Sequence, residues 1–157
     1  AADLVHQGRN GYTFPVGQVS KQATELMEVT RRALDAGISQ AIPGNRISDI
    51  SASVQKVVED AGFSVVRDFV GHGVGRNLHE GPQVANFGKK GRGPVIQEGM
   101  TLAIEPMVNQ GDWDVKILGD GWTVVTADRR DSAHFEHTVA ITEDGPDILT
   151  LLNGRGT

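Results

Sequence analysis

The sequence predicts an α+β domain in which an antiparallel sheet packs against helices on one of its faces. Two segments, from Ser20 to about Ala36 and from about Ser48 to Ala61, repeat apolar residues at helical spacing, and a glycine follows each. Much of the chain after the second helix alternates apolar and polar residues over short runs, which is typical of strands. Because each helix has one apolar stripe, we expect both to pack against a layer of sheet.

The other elements are expected in the following order. A strand-like stretch at 11–17 precedes the first helix, and the "AIPGN" segment forms a turn before the second. Strands are then expected at 63–70, 100–106, 133–142 and 147–152, with a hairpin at 114–127 around "GDG". With neither an internal repeat nor a linker, residues 1–157 are predicted to form a single domain.

The composition limits the possible classes of function. A net charge of −5 with both signs interspersed argues against a general nucleic-acid-binding protein. The sequence has neither an apolar run of membrane-spanning length nor a signal peptide, so we expect a cytoplasmic protein that binds no membrane. With no cysteine, disulfides, thiolate zinc sites and cysteine nucleophiles are excluded, so catalysis would use His, Asp, Glu, Ser or a metal.

Two histidines and two strand glutamates are the first candidates for a functional site. His72 and His79 lie in "GHGVGRNLHEGP", where four glycines indicate a backbone that bends sharply or approaches another group closely. Glu105 and Glu136 interrupt apolar strands, and an ionised carboxylate is costly to bury alone. Either both glutamates lie on the solvated face of a sheet, or they join a histidine in a site for Mn, Fe, Co or Zn.

Three linked motifs resemble those of a known family. In order and spacing, "GHGVGRNLHEGP", "GMTLAIEPM" and "DGWTVVTADRRDSAHFEHTVAIT" are similar to the metal-binding and substrate motifs of type I methionine aminopeptidases. The first two motifs also suit prolidases and other pita-bread enzymes, whereas the third is the methionine aminopeptidase version. The resemblance extends from about Gly11 to Thr150. It implies a partial pita-bread (creatinase/aminopeptidase-like) fold formed by the C-terminal part of the catalytic domain.

The resemblance also implies a metal site and a reaction. The family binds two divalent metals through two aspartates, one histidine and two glutamates. His72, Glu105 and Glu136 match three of these ligands, and Glu136 matches the one that bridges the metals. The implied reaction is hydrolytic removal of an N-terminal methionine from nascent peptides, with Glu105 as the general base.

Residues near the metals are implied to contact the substrate. His79 matches a histidine that binds no metal but contacts the peptide and its tetrahedral intermediate. Trp122 and Leu78 would help to line the methionine pocket, although ordinary packing explains Leu78 equally well. His137 is expected to be structural, because it faces the other side of its strand from Glu136. His134 is left unassigned between a solvated position and one near the cleft.

The sequence departs from the family pattern at its start. The second aspartate ligand of the family would fall in the triplet Gln7-Gly8-Arg9, where Arg9 stands in its place. A guanidinium cannot bind a cation, and the first aspartate would lie before Ala1. We therefore expect a truncated, impaired catalytic region that holds at most one metal tightly. The bared sheet edges would favour a homodimer or a complementing chain.

Three hypotheses are compatible with these observations. The first is a metal-dependent aminopeptidase, active or impaired, which the retention of His72, His79, Glu105 and Glu136 favours. The second is a non-catalytic pita-bread module, a pseudoenzyme that recognises peptides or a protein partner, which Arg9 favours. The third sets the resemblance aside and describes an α+β interaction domain with solvated strand carboxylates.

Overall fold

A computed structural model of the chain describes residues 2–6 and 10–151. In these ranges the chain forms two helices, α1 at Lys21–Ile38 and α2 at Ile47–Asp60. The strands are β1 Ala2–His6, β2 Gly11–Pro15, β3 Ser64–Val65, β4 Gly71–Gly73, β5 Glu80–Val84, β6 Thr101–Ile104, β7 Met107–Asn109, β8 Val115–Ile117, β9 Val124–Thr126, β10 Ser132–His134, β11 His137–Thr142 and β12 Gly145–Ile148. Among the described residues, neither helix is both long enough and apolar enough to cross a bilayer.

The strands form two larger sheets and two hairpins. The five-stranded sheet has the order β12-β11-β6-β4-β5, the three-stranded sheet has the order β10-β7-β3, and β1-β2 and β8-β9 pair separately. Every pair of these strands is antiparallel. The predicted α+β class with an antiparallel sheet is therefore confirmed, and the β8-β9 hairpin lies where the sequence predicts it.

Both helices contribute to one hydrophobic core with the two larger sheets. The best-buried large side chains come from α1, α2, the loop before β6, β6 itself and β11: Leu26, Leu34, Ile50, Ile96, Leu102, Ile104 and Ile141. Ser20 caps α1, because its Oγ accepts a hydrogen bond from the backbone N–H of Ala23 at 3.0 Å. The helical stripes in the sequence are thus the faces that meet the sheets.

The first helix does not end where the sequence predicts. Gly37 was expected to terminate it after Ala36, but α1 continues through Gly37 to Ile38. Gly37 is buried, and a Cβ added there would lie 2.8 Å from Cγ2 of Val54 on α2. This glycine therefore permits close packing of the two helices. Gly62, in contrast, has a φ of +81° just after α2 and does act as the predicted stop.

Two predicted strands differ in the structure. The expected strand at 63–70 is reduced to Ser64–Val65, and the expected strand at 133–142 is divided into β10 and β11. The division arises because β10 pairs with β7 in the three-stranded sheet, whereas β11 pairs with β6 in the five-stranded sheet. The last predicted strand, at 147–152, begins earlier as β12 and forms an edge of the five-stranded sheet.

Candidate metal centre

The two strand glutamates lie where neighbouring chain segments pass from one sheet to the other. Glu105 follows β6 and precedes β7, and Glu136 follows β10 and precedes β11. The pairs His137–Ile104 and His134–Met107 flank this crossing, so the two glutamates are brought to the same level. This arrangement excludes the alternative in which both carboxylates lie on a solvated sheet face, since Glu136 is only 2% exposed.

Glu105, His134 and Glu136 form a compact group of potential ligands. Each offers one oxygen or nitrogen atom, and these atoms all lie within 4.8 Å of one another. Nε2 of His134 is 3.6 Å from Oε2 of Glu105, and the His134 side chain is well buried. The backbone at Glu105 is held in turn by the buried Asn86, whose Nδ2 donates to the Glu105 carbonyl oxygen at 3.1 Å.

His72 faces the other oxygen of the same carboxylate. Its Nε2 lies 3.6 Å from Oε1 of Glu105, while its Nδ1 is 2.8 Å from the carbonyl oxygen of Gly73. A carbonyl oxygen only accepts hydrogen bonds, so Nδ1 carries the proton. In the neutral ring, Nε2 therefore presents a lone pair toward Glu105, which is the tautomer that a metal ligand requires.

His79 lies beside His72, and both rings lie outside the compact group formed by Glu105, His134 and Glu136. The two ring centroids are 4.3 Å apart and the rings are inclined by 61°. His79 is exposed to solvent, whereas the side chain of His72 is only 13% exposed. One histidine of the glycine-rich stretch thus faces the Glu105 carboxylate, and the other lies at the surface.

The glycines on either side of His72 are required because the backbone of neighbouring strands comes very close to them. A Cβ at Gly71 would collide with the carbonyl oxygen of Ala103 on β6, and a Cβ at Gly73 would collide with that of Gly81. Strand β4 lies between β6 and β5, so both of its edges are occupied. The "GHG" motif therefore inserts an imidazole into a position where only glycine neighbours fit.

Gly11 brings β2 close to the same group. It forms a bridge with Glu136, in which the Glu136 N–H donates to the Gly11 oxygen at 2.8 Å and the Gly11 N–H donates back at 3.4 Å. A Cβ at Gly11 would lie 3.3 Å from Cε1 of His134 and 3.4 Å from Oε2 of Glu136. The absence of a side chain here leaves room directly beside both potential ligands.

His137 is bonded to groups outside this cluster, in keeping with the structural role expected for it. Its Nε2 lies 2.9 Å from the hydroxyl of Tyr12, and its Nδ1 lies 2.8 Å from Oγ1 of Thr150. Burial lowers the pKa of His137 and raises the pKa of Tyr12, so both groups are favoured in their neutral forms. The charge of Asp35 opposes the shift in His137 and adds to the shift in Tyr12.

An apolar cavity of about 330 Å³ adjoins the cluster on the side of His134. Its walls include Val66, Phe69, Met107 and the β9 residues Val124 and Val125. The sequence-predicted pocket residues are not among its lining. Trp122 is 83% exposed at the tip of the β8-β9 hairpin, and Leu78 is 39% exposed.

His134, which the sequence leaves unassigned, joins the group of potential ligands. A signal for it was present, because His134 and Glu136 stand two positions apart in a strand-like segment, a spacing that turns both side chains to one face. The interpretation of Arg9 as a replacement for a metal-binding aspartate concerns a position outside the described residues.

The chemistry of these side chains fits a divalent metal. Two carboxylates and neutral imidazoles are ligands suited to Mn, Fe, Co and Zn, and the two carboxylate charges match one dication. Within residues 2–6 and 10–151, the imidazoles of His72 and His134 face the two oxygens of Glu105, each with its Nε2 3.6 Å away. A cation between the glutamates would offset the cost of placing two carboxylates close together.

Comparison with known proteins identifies the family. A model described as metallopeptidase family M24 matches residues 8–143. A methionine aminopeptidase from Clostridium perfringens is 58% identical over 140 residues, which cover 89% of this chain and 56% of that protein. This chain therefore spans little more than half of that relative's length.

Solved structures agree with the sequence match. The crystal structure of a methionine aminopeptidase from Thermotoga maritima superposes with a TM-score of 0.89 at 51% identity, covering 94% of this chain and 61% of the other. A prolidase from Pyrococcus horikoshii superposes with a TM-score of 0.71 at 23% identity, covering 92% of this chain and 36% of the other. The predicted pita-bread fold is thereby confirmed for this stretch of chain. The chain belongs to metallopeptidase family M24, and its predicted resemblance to the type I methionine aminopeptidases is confirmed.

Proposed function

We propose that this chain carries the metal-binding part of an aminopeptidase that hydrolytically removes an N-terminal methionine from nascent peptides. The observation that carries the proposal is the convergence of Glu105, His134 and Glu136, with His72 on the second oxygen of Glu105. The relative that is 58% identical is named a methionine aminopeptidase. Because this chain spans 56% of that relative, the activity of the whole enzyme is itself part of the proposal.

The proposed ligands are His72, Glu105 and Glu136, the three that the motifs imply. They would hold Mn, Co, Fe or Zn, and we expect one such cation to be bound tightly. When bound, a divalent cation supplies Lewis acidity, which lowers the pKa of a water molecule and polarises a carbonyl group. Buried carboxylates around it keep the local charge balanced.

Glu105 is proposed to accept a proton during hydrolysis and pass it to the leaving amine. Its side chain is 13% exposed, so it is close to solvent and yet largely enclosed. Each of its oxygens lies 3.6 Å from an imidazole Nε2, and Asn86 holds the backbone at Glu105, so the carboxylate is kept beside the proposed ligands. A general base needs such a fixed position within reach of the reacting group.

His79 is proposed to donate a hydrogen bond to the peptide as charge develops on its carbonyl oxygen. The ring contacts His72 and is open to solvent, so a substrate can approach it from outside. Leu78 and Trp122 are proposed to line the methionine pocket. Both are exposed in this chain, so this role requires a further wall from another segment or another chain.

A methionyl-peptide release assay tests the proposed function. Release should depend on added Mn, Co, Fe or Zn, stop when the metal is chelated, and fall at least about 10²-fold in Glu105→Gln. Glu143→Gln, which changes an exposed glutamate in the turn after β11, is the matched control and should retain full activity. Metal-independent release, or full activity in Glu105→Gln, would contradict the proposal.

The alternative is a non-catalytic pita-bread module, a pseudoenzyme that recognises peptides or a protein partner. Arg9, at the position where the family has an aspartate, favours it. Saturable binding of a methionyl peptide without release, under all four metals, would support this alternative. A homodimer or a complementing chain that restores activity would be detected by the molecular mass of the active species in solution.

A further inference from the structure

We propose that His134 is a metal ligand, which adds a second imidazole to the cation held by Glu105 and Glu136. The inference rests on the proposed metal-dependent function but assigns a residue that the family motifs leave out. The distances between the donor atoms of these side chains support it. Glu105, His134 and Glu136 each present one donor atom within 4.8 Å of the other two, and His134 Nε2 is 3.6 Å from Oε2 of Glu105.

The position of His134 is fixed by its backbone on two sides. Its N–H donates to Oγ1 of Thr13 at 2.9 Å, and the same hydroxyl donates to the His134 carbonyl oxygen at 2.9 Å. On the other side, His134 pairs with Met107 in the β10-β7 ladder. A ring carried on so constrained a backbone is preorganised, which lowers the entropic cost of binding a cation.

The surroundings leave room for coordination. Gly11, which carries no side chain, lies beside both Cε1 of the His134 ring and Oε2 of Glu136. His134 and Glu136 are both buried, so a cation between them would interact with the carboxylates in a medium that screens charge weakly. Each oxygen of the Glu105 carboxylate would then have an imidazole beside it, His72 at Oε1 and His134 at Oε2.

The chemical consequence is a preference among metals. Imidazole nitrogen favours Zn, Co, Ni and Cu over Mg, Ca and Mn, whereas carboxylates alone favour the harder ions. A second imidazole therefore moves the site toward Zn and Co. His134 also borders the apolar cavity, so the competing role for this ring is contact with a substrate side chain only.

Counting the imidazoles bound to a paramagnetic metal separates these roles. The chain is loaded with one equivalent of Cu²⁺, and pulsed electron paramagnetic resonance reports the number of coupled imidazole nitrogens. His134→Ala and His134→Gln should each show one coupled imidazole fewer than the unaltered chain. His79→Ala should show the same number as the unaltered chain. Two replacements at position 134 are used so that a variant that fails to fold does not decide the outcome.

Affinity provides a second measurement. The Kd for Zn²⁺, from calorimetry, should rise about tenfold or more in His134→Ala, since loss of an outer-shell partner alone costs 10- to 100-fold. If His134→Ala keeps the imidazole count and its Kd stays within about twofold of the unaltered chain's value, the inference is overturned. If Glu105→Gln abolishes metal binding in that case, the proposed metal site stands without His134. If the count falls as expected but no methionine is released, the ligand stands and the proposed function fails.

Discussion

The rings of His72 and His79 are in contact, with centroids 4.3 Å apart and planes inclined by 61°. His72 also approaches a carboxylate, with its Nε2 3.6 Å from Oε1 of Glu105. The seven-residue spacing of the two histidines therefore places one imidazole toward the potential ligands and one toward solvent. The turn between them depends on glycines that bring β4 against its neighbours.

Replacement of His79 with alanine should separate metal binding from turnover. We expect the Kd for Zn²⁺ or Co²⁺ to stay within about twofold, because the exposed ring of His79 contacts the ring of His72, whereas His72 itself faces Glu105. Any methionine release should fall about 10²-fold, as expected for loss of one hydrogen-bond donor to the developing oxyanion. Calorimetry and the peptide assay measure the two effects. A large loss of metal affinity would show that His79 is itself a ligand.

The close approach of β4 to β6 predicts a strong effect of a single methyl group. Gly71→Ala would press a Cβ against the carbonyl oxygen of Ala103, a backbone atom that cannot rotate away. We expect a loss of about 1–3 kcal/mol in the free energy of unfolding, the usual range for overpacking. Gly119→Ala is the matched control, since no heavy atom lies within 4 Å of its added Cβ. Urea denaturation of both variants makes the comparison, and equal stabilities would contradict the steric explanation.

Much of this fold follows from local patterns in the sequence. The apolar periodicity of α1 and α2 predicts both helices to within about two residues of their observed ends. Glu105 and Glu136 could be singled out because an ionisable residue in an apolar strand needs a partner. Such features are visible locally, since they depend on residues within one or two turns of helix or one strand.

The remaining features depend on contacts between distant segments. The break at Phe135–Glu136 occurs because β10 and β11 pair with strands of different sheets, and strand alternation within 133–142 gives no sign of that change. The sequence around Gly37 predicts a helix stop, because it does not show that Val54 of α2 packs against this glycine. The sequence does not assign His134 for the same reason, because its neighbours Glu105 and Thr13 are remote along the chain.

Asp49 should contribute stability that depends on pH. Its Oδ2 accepts from the Arg46 N–H at 2.7 Å and its Oδ1 from the Gly91 N–H at 2.8 Å, so it joins the start of α2 to a basic loop. The Arg46 hydrogen bond is the main cause of a lowered pKa for Asp49, with smaller contributions from Gly91, Lys90 and the Arg46 charge, while burial opposes it. A folded-state pKa below the unfolded value means that this stabilisation is present above about pH 4 and disappears as the pH falls through the folded value.

Asp49→Asn is therefore expected to lower the free energy of unfolding by about 1–2 kcal/mol at pH 7, the scale of a hydrogen bond to a charged group. The difference from the unaltered chain should shrink below about pH 4, because protonated aspartic acid also lacks the charge. Asp60→Asn removes an exposed ion pair with Lys56 and should change stability by less than about 0.5 kcal/mol. Urea titrations at several pH values test this. A difference that grows on acidification would reverse the assigned sign.

The number of metals bound is the most direct test of how this chain relates to its family. We expect the 157-residue chain to bind at most one divalent cation tightly. The compact ligand group in the described part of the chain contains two carboxylates, which balance the charge of one dication. A second dication about 3.5–4 Å away would add two positive charges without added carboxylates, and the resulting repulsion is strong in a buried site. Calorimetry with Mn²⁺ or Co²⁺, run beside the methionyl-peptide assay, should show one tight site and slow turnover. Two tight sites per chain with rapid methionine release would refute this expectation, and would mean that another residue or a second chain supplies the missing carboxylates.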